Sequence, residues 1–323
     1  KRIRAVTEGR RSLSGFDFTA DRKRMAFLRA TASVPGAVCV ARTDGSQERT
    51  LADPNDHLRA LSLGRLKTVR WTSTDGLRIE GLVLLPPRFR KGRRVPTLVM
   101  PHGGPHGACT VRFYADFQFF ASHGYAVFLP NFRGSSGYGI DFSTANLDAW
   151  GAGDAEDILS GVDALIERGI ADPKRLGVFG FSYGGYMTAF LIGRTDRFRA
   201  AAAGGGVHNA RSFYGTTDIP NFMEYFYKAP PWEVPEGYDR ASPITHVKRV
   251  KTPTLIFHGE QDRRVPIGQS EELYTALKRR RVRTEFVRYP DEGHGIGQYD
   301  HHKDLLERQR AWFDRYVKGK RGS

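Results

Sequence analysis

Apolar and polar positions alternate along the first fifty residues in short runs that are separated by turn residues. Residues 15–30, GFDFTADRKRMAFLRA, alternate on both sides of a turn at Thr19–Arg24, and residues 36–51 alternate on both sides of Asp44-Gly45. An Asp-Gly pair between two alternating runs is a strong hairpin signal, because both residues tolerate the positive φ angles of a tight turn. Residues 1 to about 52 therefore predict short β-strands, and residues 52–67 predict a connector.

The pattern changes in the rest of the chain. Residues 66–87 predict two strands around Asp75-Gly76, and from about residue 96 apolar segments alternate with segments of helical period. The apolar segments are 97–100, 125–130, 175–182, 199–207, 252–262 and 284–294, and the helical segments are 115–122, 144–168, the residues after 182, 267–280 and 303–317. This alternation is typical of a parallel sheet covered by helices on both faces. We predict an α/β domain over residues 65–323, preceded by a small all-β piece with its connector over residues 1–64.

The charge of the chain is strongly positive, at +15, but the positive residues are spread along its 323 positions. The densest runs, KRRRVR at 278–283 and RKGRR at 90–94, lack the interleaved aromatic residues of a single-strand binding groove. No segment approaches the ~18 consecutive apolar residues of a membrane span. We therefore expect neither a nucleic-acid partner nor a membrane partner.

The two cysteines, Cys39 and Cys109, are far apart in the sequence and form no disulfide or metal-binding pattern. We expect buried thiols in a reducing compartment, which favours the cytoplasm. The chain begins at Lys1 within a charged run and has no initiator Met, so we interpret it as part of a longer protein. The sequence leaves self-association into a homo-oligomer open.

One pentapeptide carries the strongest chemical signal. GFSYG at 180–184 fits G-x-S-x-G, the sharp strand-to-helix turn that exposes a nucleophilic serine, and an apolar strand precedes it. Gly180 and Gly184 leave space where a β-carbon would collide with neighbouring backbone. Ser182 is therefore the candidate nucleophile, and the alternative is a glycine-rich turn selected only for packing.

A serine nucleophile needs a base and an acid that orients the base, and in α/β hydrolases the order is Ser, Asp or Glu, His. Asp262 follows an apolar strand, and His294 follows the next strand. Both fall at strand carboxyl ends, where open α/β sheets bind their ligands. Glu260 is an alternative acid, and His258 within the strand is expected to be a packed neighbour.

The run HGGP at 102–105 follows a predicted strand and fits a loop that donates a backbone N–H to an oxyanion. The second donor is expected to be the N–H of Tyr183, the residue after the nucleophile. His102 and His106 could suggest a metal, but no carboxylate or cysteine nearby completes a ligand set, so we predict no metal site.

Four separated motifs resemble the prolyl oligopeptidase family of serine peptidases, with most similarity to its acylaminoacyl-peptidase branch. They are GFSYGGY at 180–186, HGGPHG at 102–107, HGEQDRRVP at 258–266 and DEGHG at 291–295. WGAGDAEDI at 150–158 and NFRGSSGYG at 131–139 also resemble that family. The resemblance extends from about residue 65 to the end of the chain. It implies an α/β-hydrolase fold, with the N-terminal strands as the last blade of a β-propeller belonging to the parent protein.

The resemblance also implies roles for individual residues. Ser182, Asp262 and His294 take the positions of the catalytic triad, and the backbone of Tyr183 and of Gly104 takes the oxyanion positions. These residues imply acyl transfer through an acyl-enzyme, with a short peptide as substrate and no cofactor.

Three further residues are expected near the substrate. His102 stands where proline-cleaving and dipeptide-cleaving members carry a tyrosine, which argues against those branches. Arg264 matches a position that holds a substrate carbonyl or acyl group, and its alternative is an exposed ion pair. Phe213 is expected to line the pocket before the scissile bond, unless it only packs in the core.

We therefore expect a serine peptidase acting on short, N-acylated peptides. The alternatives are a carboxylesterase with the same triad, a dipeptidyl or oligopeptidase of the same family, and a non-catalytic binding module that retains a relic site.

Overall fold

The computed structural model describes residues 3–320, and their backbone falls into two compact units. One comprises the chain up to Lys67 together with Leu84–Arg88 and Thr110–Gly124, and the other comprises Thr68–Val83, Phe89–Cys109 and the chain from Tyr125 onward. The predicted division into residues 1–64 and 65–323 also covers residues 1, 2 and 321–323, which lie outside the described residues.

The first unit contains an antiparallel sheet of four strands in the order β1-β2-β3-β4. The strands are β1 (Ser12–Phe18), β2 (Arg24–Ala30), β3 (Ala37–Arg42) and β4 (Arg49–Ala52). Alternate residues of β2 and β3 form a small buried cluster made of Met25, Phe27, Ala37, Cys39 and Ala41. The predicted hairpins around residues 19–24 and around Asp44-Gly45 are confirmed, because these segments connect paired antiparallel strands.

The remaining elements follow in chain order. The strands are β5 (Arg65–Thr72), β6 (Arg78–Leu85), β7 (Val95–Val99), β8 (Ala126–Asn131), β9 (Ala171–Phe181), β10 (Ala200–Gly204), β11 (Thr254–Gly259) and β12 (Thr284–Tyr289). The helices are α1 (Ala115–Ser122), α2 (Ile140–Thr144), α3 (Gly153–Glu167), α4 (Tyr183–Arg194), α5 (Ala210–Thr216), α6 (Pro220–Tyr227), α7 (Pro235–Ala241), α8 (Gly268–Arg279) and α9 (Tyr299–Tyr316). Two 3₁₀ helices, Asp56–Ala60 and Pro243–Arg249, complete the set in the described residues.

Strands β5 to β12 form one eight-stranded sheet in the order β12-β11-β10-β9-β7-β8-β6-β5. Each pair of adjacent strands from β12 to β8 in this order is parallel, as the apolar character of these segments predicted. Strand β10 consists of four alanines and a glycine, all buried between β9 and β11.

Helices cover both faces of this sheet, which confirms the predicted α/β-hydrolase architecture. A β-carbon at Gly177 would lie 3.0 Å from the Phe313 ring on α9, whereas one at Gly180 would lie 2.4 Å from the Gly184 carbonyl oxygen on α4. Residues 177 and 180 point to opposite faces of β9, because side chains alternate along a strand. Among residues 3–320, no helix is both long and apolar enough to cross a membrane.

The helix predicted over 144–168 is shorter in the structure and begins at Gly153. Residues 145–152 form turns instead, because Asp148 and Gly151 adopt positive φ angles of 52° and 79° that end any helical path. No elements were predicted over 210–249, where the structure has three short helices and a 3₁₀ turn.

Candidate active site

Ser182 occupies the turn between β9 and α4, at a backbone conformation of φ 60° and ψ −123°. Positive φ is uncommon outside glycine and costs about 1–3 kcal/mol, so the surrounding packing must hold this turn. The turn is possible only because two glycines flank it. A β-carbon at Gly180 would lie 2.4 Å from the Gly184 carbonyl oxygen, and one at Gly184 would lie 2.1 Å from the Pro101 carbonyl oxygen.

Three side chains from separate strand ends meet in one chain of hydrogen bonds. His294 Nε2 lies 2.9 Å from Ser182 Oγ, and His294 Nδ1 lies 2.7 Å from Asp262 Oδ2. Ser182 follows β9, Asp262 follows β11 and His294 follows β12, so the three residues are brought together at the carboxyl ends of parallel strands of one sheet, with β10 between β9 and β11. The imidazole therefore has one nitrogen free to exchange a proton with the serine hydroxyl while the other nitrogen donates to the carboxylate.

The carboxylate of Asp262 is buried and fully hydrogen-bonded. Its Oδ1 accepts from the Val265 amide at 2.9 Å, and its Oδ2 lies 3.2 Å from His258 Nε2 in addition to His294. Burial alone raises its pKa, but the hydrogen bonds outweigh that effect and lower the pKa to about 2. Asp262 is therefore ionised throughout the neutral range. The alternative acid, Glu260, instead pairs with Arg288 at 2.8 Å.

The HGGP loop lies beside the serine. A β-carbon at Gly103 would lie 3.6 Å from Ser182 Cβ, and Gly104 has a φ of 133° that favours glycine. Tyr183 is the first residue of α4, so its amide has no acceptor within the helix. The loop and the helix start can thus present backbone donors near Ser182 Oγ.

His102 is buried, and both of its ring nitrogens are engaged within the protein. Its Nδ1 lies 2.8 Å from the Gly103 carbonyl oxygen and its Nε2 lies 2.7 Å from Ser135 Oγ, while its ring stacks on Phe132 at 4.4 Å. Burial lowers the pKa of His102 to about 4, so the ring is neutral at pH 7. These contacts suit a residue that supports the loop. No group of three or more metal-ligating side chains occurs within residues 3–320.

The two other residues expected near the substrate lie in different surroundings. Arg264 is about half exposed, and its Nε donates to Asp218 Oδ1 at 2.7 Å, which is the ion pair foreseen as its alternative role. Phe213 lies on α5 and is almost completely buried.

Two side-chain contacts of this region were not predicted from the sequence, which gave His258 only as a packed neighbour. His258 contacts Asp262, and Asp154 accepts a hydrogen bond from the Tyr183 hydroxyl at 2.5 Å. Burial raises the pKa of Asp154 to about 6, against the opposing effect of its hydrogen bonds. The available signal for Asp154 was its place in the family-like motif WGAGDAEDI, which gives no indication of its partner.

Comparison with known proteins gives consistent results. The chain is 35% identical to the uncharacterized peptidase YuxL of Bacillus subtilis (strain 168) over 279 residues, which are 84% of this chain and 42% of that protein. It is 36% identical to the acylamino-acid-releasing enzyme of Arabidopsis thaliana over 236 residues, which are 70% of this chain and 31% of that enzyme. The chain thus spans less than half the length of these relatives.

A solved structure of similar form is the acylaminoacyl peptidase of Pyrococcus horikoshii. It superposes with a TM-score of 0.91 at 31% identity over 99% of this chain and 52% of that one. The profile of the Prolyl oligopeptidase family matches residues 111–320, a segment that contains Ser182, Asp262 and His294. The chain therefore belongs to the prolyl oligopeptidase family.

Proposed function

We propose that this chain carries the catalytic machinery of a serine peptidase that hydrolyses short, N-acylated peptides. The observation that carries the proposal is the continuous hydrogen-bonded path from Ser182 through His294 to Asp262. The names of the Arabidopsis and Pyrococcus relatives support the choice of N-acylated peptides within the family.

The first step is acylation. His294 Nε2 removes the proton of Ser182 as Oγ attacks the carbonyl carbon of the scissile bond, and the C–N bond then breaks as His294 gives that proton to the leaving amine. The carboxylate of Asp262 fixes the imidazole tautomer through Nδ1 and stabilises the imidazolium ion. Its low pKa keeps it charged during this step.

The oxyanion of the tetrahedral intermediate is held by the amides of Tyr183 and Gly104. Loss of one such donor costs about 2.7–4 kcal/mol of transition-state stabilisation in a comparable serine hydrolase. In the second step His294 activates a water molecule, which attacks the acyl-enzyme and releases the acid. Apart from the substrate and this water molecule, the groups in both steps are residues of this chain.

Arg264 and Phe213 supply the substrate preference in this proposal. An arginine has five N–H donors, so a guanidinium that uses Nε for Asp218 retains others for an acyl carbonyl oxygen. Phe213 is almost completely buried, so in this proposal it supports the apolar pocket for the side chain before the scissile bond from within the core, and His102 supports the oxyanion loop.

The domain division belongs to the same proposal. Residues 65–323 would form the catalytic domain, and residues 1–64 would be the last blade of a β-propeller with its connector. In the parent protein the propeller would restrict entry to short or unfolded peptides. Buried thiols at Cys39 and Cys109, neither in a disulfide, support a reducing compartment such as the cytoplasm.

A fluorophosphonate probe tests the proposal directly, because it reacts with serines that an adjacent base activates. The protein should be labelled stoichiometrically, and Ser182→Ala should abolish labelling. Ser122→Ala, at an exposed serine on α1, is the matched control and should label normally. Labelling that survives Ser182→Ala would refute the proposal.

Substrate class is tested separately with p-nitroanilides of an N-acetylated amino acid and of the same amino acid with a free amino group, and with a short-chain p-nitrophenyl ester. A peptidase for N-acylated substrates should have a higher kcat/KM on the N-acetylated anilide than on the free one. Hydrolysis of the ester without any hydrolysis of the anilides would favour the carboxylesterase alternative.

A further inference from the structure

The side chain of Tyr183 is anchored at a single point. Its hydroxyl donates to Asp154 Oδ2 at 2.5 Å, and both residues are buried. Tyr183 directly follows Ser182, so the residue with this anchored side chain also carries the amide proposed as an oxyanion donor. Asp154 belongs to the first turn of α3, and Tyr183 is the first residue of α4. The hydrogen bond therefore connects the starts of two helices.

Asp154 is held by hydrogen bonds alone. Besides the Tyr183 hydroxyl, it accepts from the Gly151 amide at 3.2 Å and from the Ala155 amide at 2.8 Å. No cationic side chain within residues 3–320 forms an ion pair with it, whereas the neighbouring Asp157 pairs with Arg133 at 2.7 Å. A buried carboxylate without a cation is costly unless its hydrogen bonds are complete, so the Tyr183 contact is not readily exchanged for another.

The aromatic residues around Tyr183 fix the plane of its ring without competing for its hydroxyl. Trp150 packs edge-on at 4.8 Å, Tyr186 lies at 4.9 Å and Phe132 at 5.9 Å between ring centroids. The polar atoms of Trp150 and Tyr186 are buried and have no hydrogen-bond partner among the described residues. Within this cluster, the Tyr183 hydroxyl is thus distinguished by its bond to a carboxylate.

We propose that Asp154 is a positioning residue for the oxyanion site, which acts by holding the Tyr183 hydroxyl and thereby fixing the direction of the Tyr183 amide. The inference rests on the proposed function, in which that amide stabilises the oxyanion. Two side-chain torsions separate the ring of Tyr183 from its backbone, and the packed ring leaves them little freedom. Release of the hydroxyl would therefore let the helix start, and with it the amide, shift relative to Ser182.

The test uses Tyr183→Phe, Asp154→Asn and the double variant. Tyr186→Phe is the matched control, because it removes a buried hydroxyl from the same helix and the same aromatic cluster without removing a hydrogen bond. Active sites are first counted by fluorophosphonate labelling. Then kcat and KM are measured on an N-acetylated amino-acid p-nitroanilide, together with the inhibition constant of a matching peptide aldehyde, whose adduct places an oxyanion in the same site.

We expect Tyr183→Phe and Asp154→Asn each to lower kcat about tenfold with KM changed less than twofold, because a displaced donor retains part of the 10²–10³-fold effect of an oxyanion donor. The aldehyde should bind more weakly by the same factor. The double variant should lose no more of its kcat than the more impaired of the two single variants does. Tyr186→Phe should have the kcat of the unmodified protein.

Three results would overturn the inference. They are an unchanged kcat for Tyr183→Phe, equal losses for Tyr183→Phe and Tyr186→Phe, and losses that multiply in the double variant. Failure of the unmodified protein to react with the fluorophosphonate would instead refute the proposed function. The two failures are therefore distinguishable.

Discussion

His258 Nε2 lies 3.2 Å from Asp262 Oδ2, the same oxygen that accepts the hydrogen bond of His294 Nδ1 at 2.7 Å. His258 is completely buried near the end of β11, and Ser270 Oγ holds its other ring nitrogen at 2.7 Å. The carboxylate that orients one imidazole is therefore itself contacted by a second imidazole.

His258 Nε2 also lies 2.7 Å from the Val265 carbonyl oxygen, so the imidazole bridges that carbonyl and the Asp262 carboxylate. We predict that His258→Phe lowers kcat about tenfold, because loss of this bridge lets Asp262 rotate away from His294. Steady-state kinetics on a p-nitroanilide substrate measures the effect. Ser270→Ala is the control, since it removes one hydrogen-bond partner of His258 but leaves the imidazole beside Asp262, held by the Val265 carbonyl oxygen, and its loss of kcat should be smaller. Full activity in His258→Phe would show that Asp262 needs no support from this side.

Gly104→Ala should abolish most of the activity. The backbone φ of 133° is unfavourable for alanine, and the added β-carbon would lie 2.5 Å from the His106 amide nitrogen. The loop must therefore move, and we expect kcat to fall about 10²-fold or more as one oxyanion donor is lost. Kinetics and thermal unfolding are measured together.

Gly103→Ala is the steric comparison for this change. Its β-carbon would meet the Phe181 carbonyl oxygen at 3.5 Å, an ordinary contact, and its φ is not in the region reserved for glycine. The melting temperature should therefore fall less than in Gly104→Ala. Equal falls would mean that the conformation at Gly104 is not the cause.

Arg264→Gln should affect acylated and simple substrates differently. If the guanidinium binds the acyl carbonyl, KM for an N-acetylated p-nitroanilide should rise about tenfold, while kinetics on a short-chain ester stay within twofold. Arg211→Gln is the control, because Arg211 on α5 forms a similar exposed ion pair, with Asp239, whereas Arg264 lies in the turn between β11 and α8. An equal rise in KM for both substrates would assign Arg264 a structural role only.

Stability should fall on mild acidification because of two buried neutral histidines. Burial lowers the pKa of His102 to about 4 and that of His208 to about 3. In the unfolded chain both titrate near 6.5. Between pH 6.5 and these lower values the unfolded state binds protons that the folded state does not, so the free energy of unfolding decreases as the pH falls.

Urea unfolding at pH 7 and pH 5 measures this effect, which amounts to about 2 kcal/mol for each histidine. His208→Phe should lose less stability between these two pH values than the unmodified protein does. An identical pH dependence in both would contradict the assignment of His208 as a buried neutral group.

The sequence predicted the features that local pattern encodes. Ser182 was located because G-x-S-x-G follows a predicted apolar strand. Asp262 and His294 were located because each follows a further predicted strand. Parallel strands place their carboxyl ends at one edge, so the meeting of these side chains followed from topology. The fold class followed in the same way from the alternation of apolar strands with helices.

Other features depend on contacts between distant positions. Asp154 and Tyr183 are 29 positions apart, and nothing around either residue indicates the other. The start of α3 was predicted too early, because the positive φ angles of Asp148 and Gly151 belong to a turn that the sequence pattern did not indicate. The short helices over 210–249 span too few turns to show a period.

The backbone of Ser182 has a consequence for the protein as a whole. Its backbone has a φ of 60°, a conformation that glycine adopts without steric cost but that a residue with a side chain adopts at a cost. The strained backbone lowers the free energy of unfolding, but it places the serine hydroxyl beyond the end of the strand. Glycine at this position would therefore be more stable but would have no nucleophile. Selection for thermal stability alone would replace Ser182.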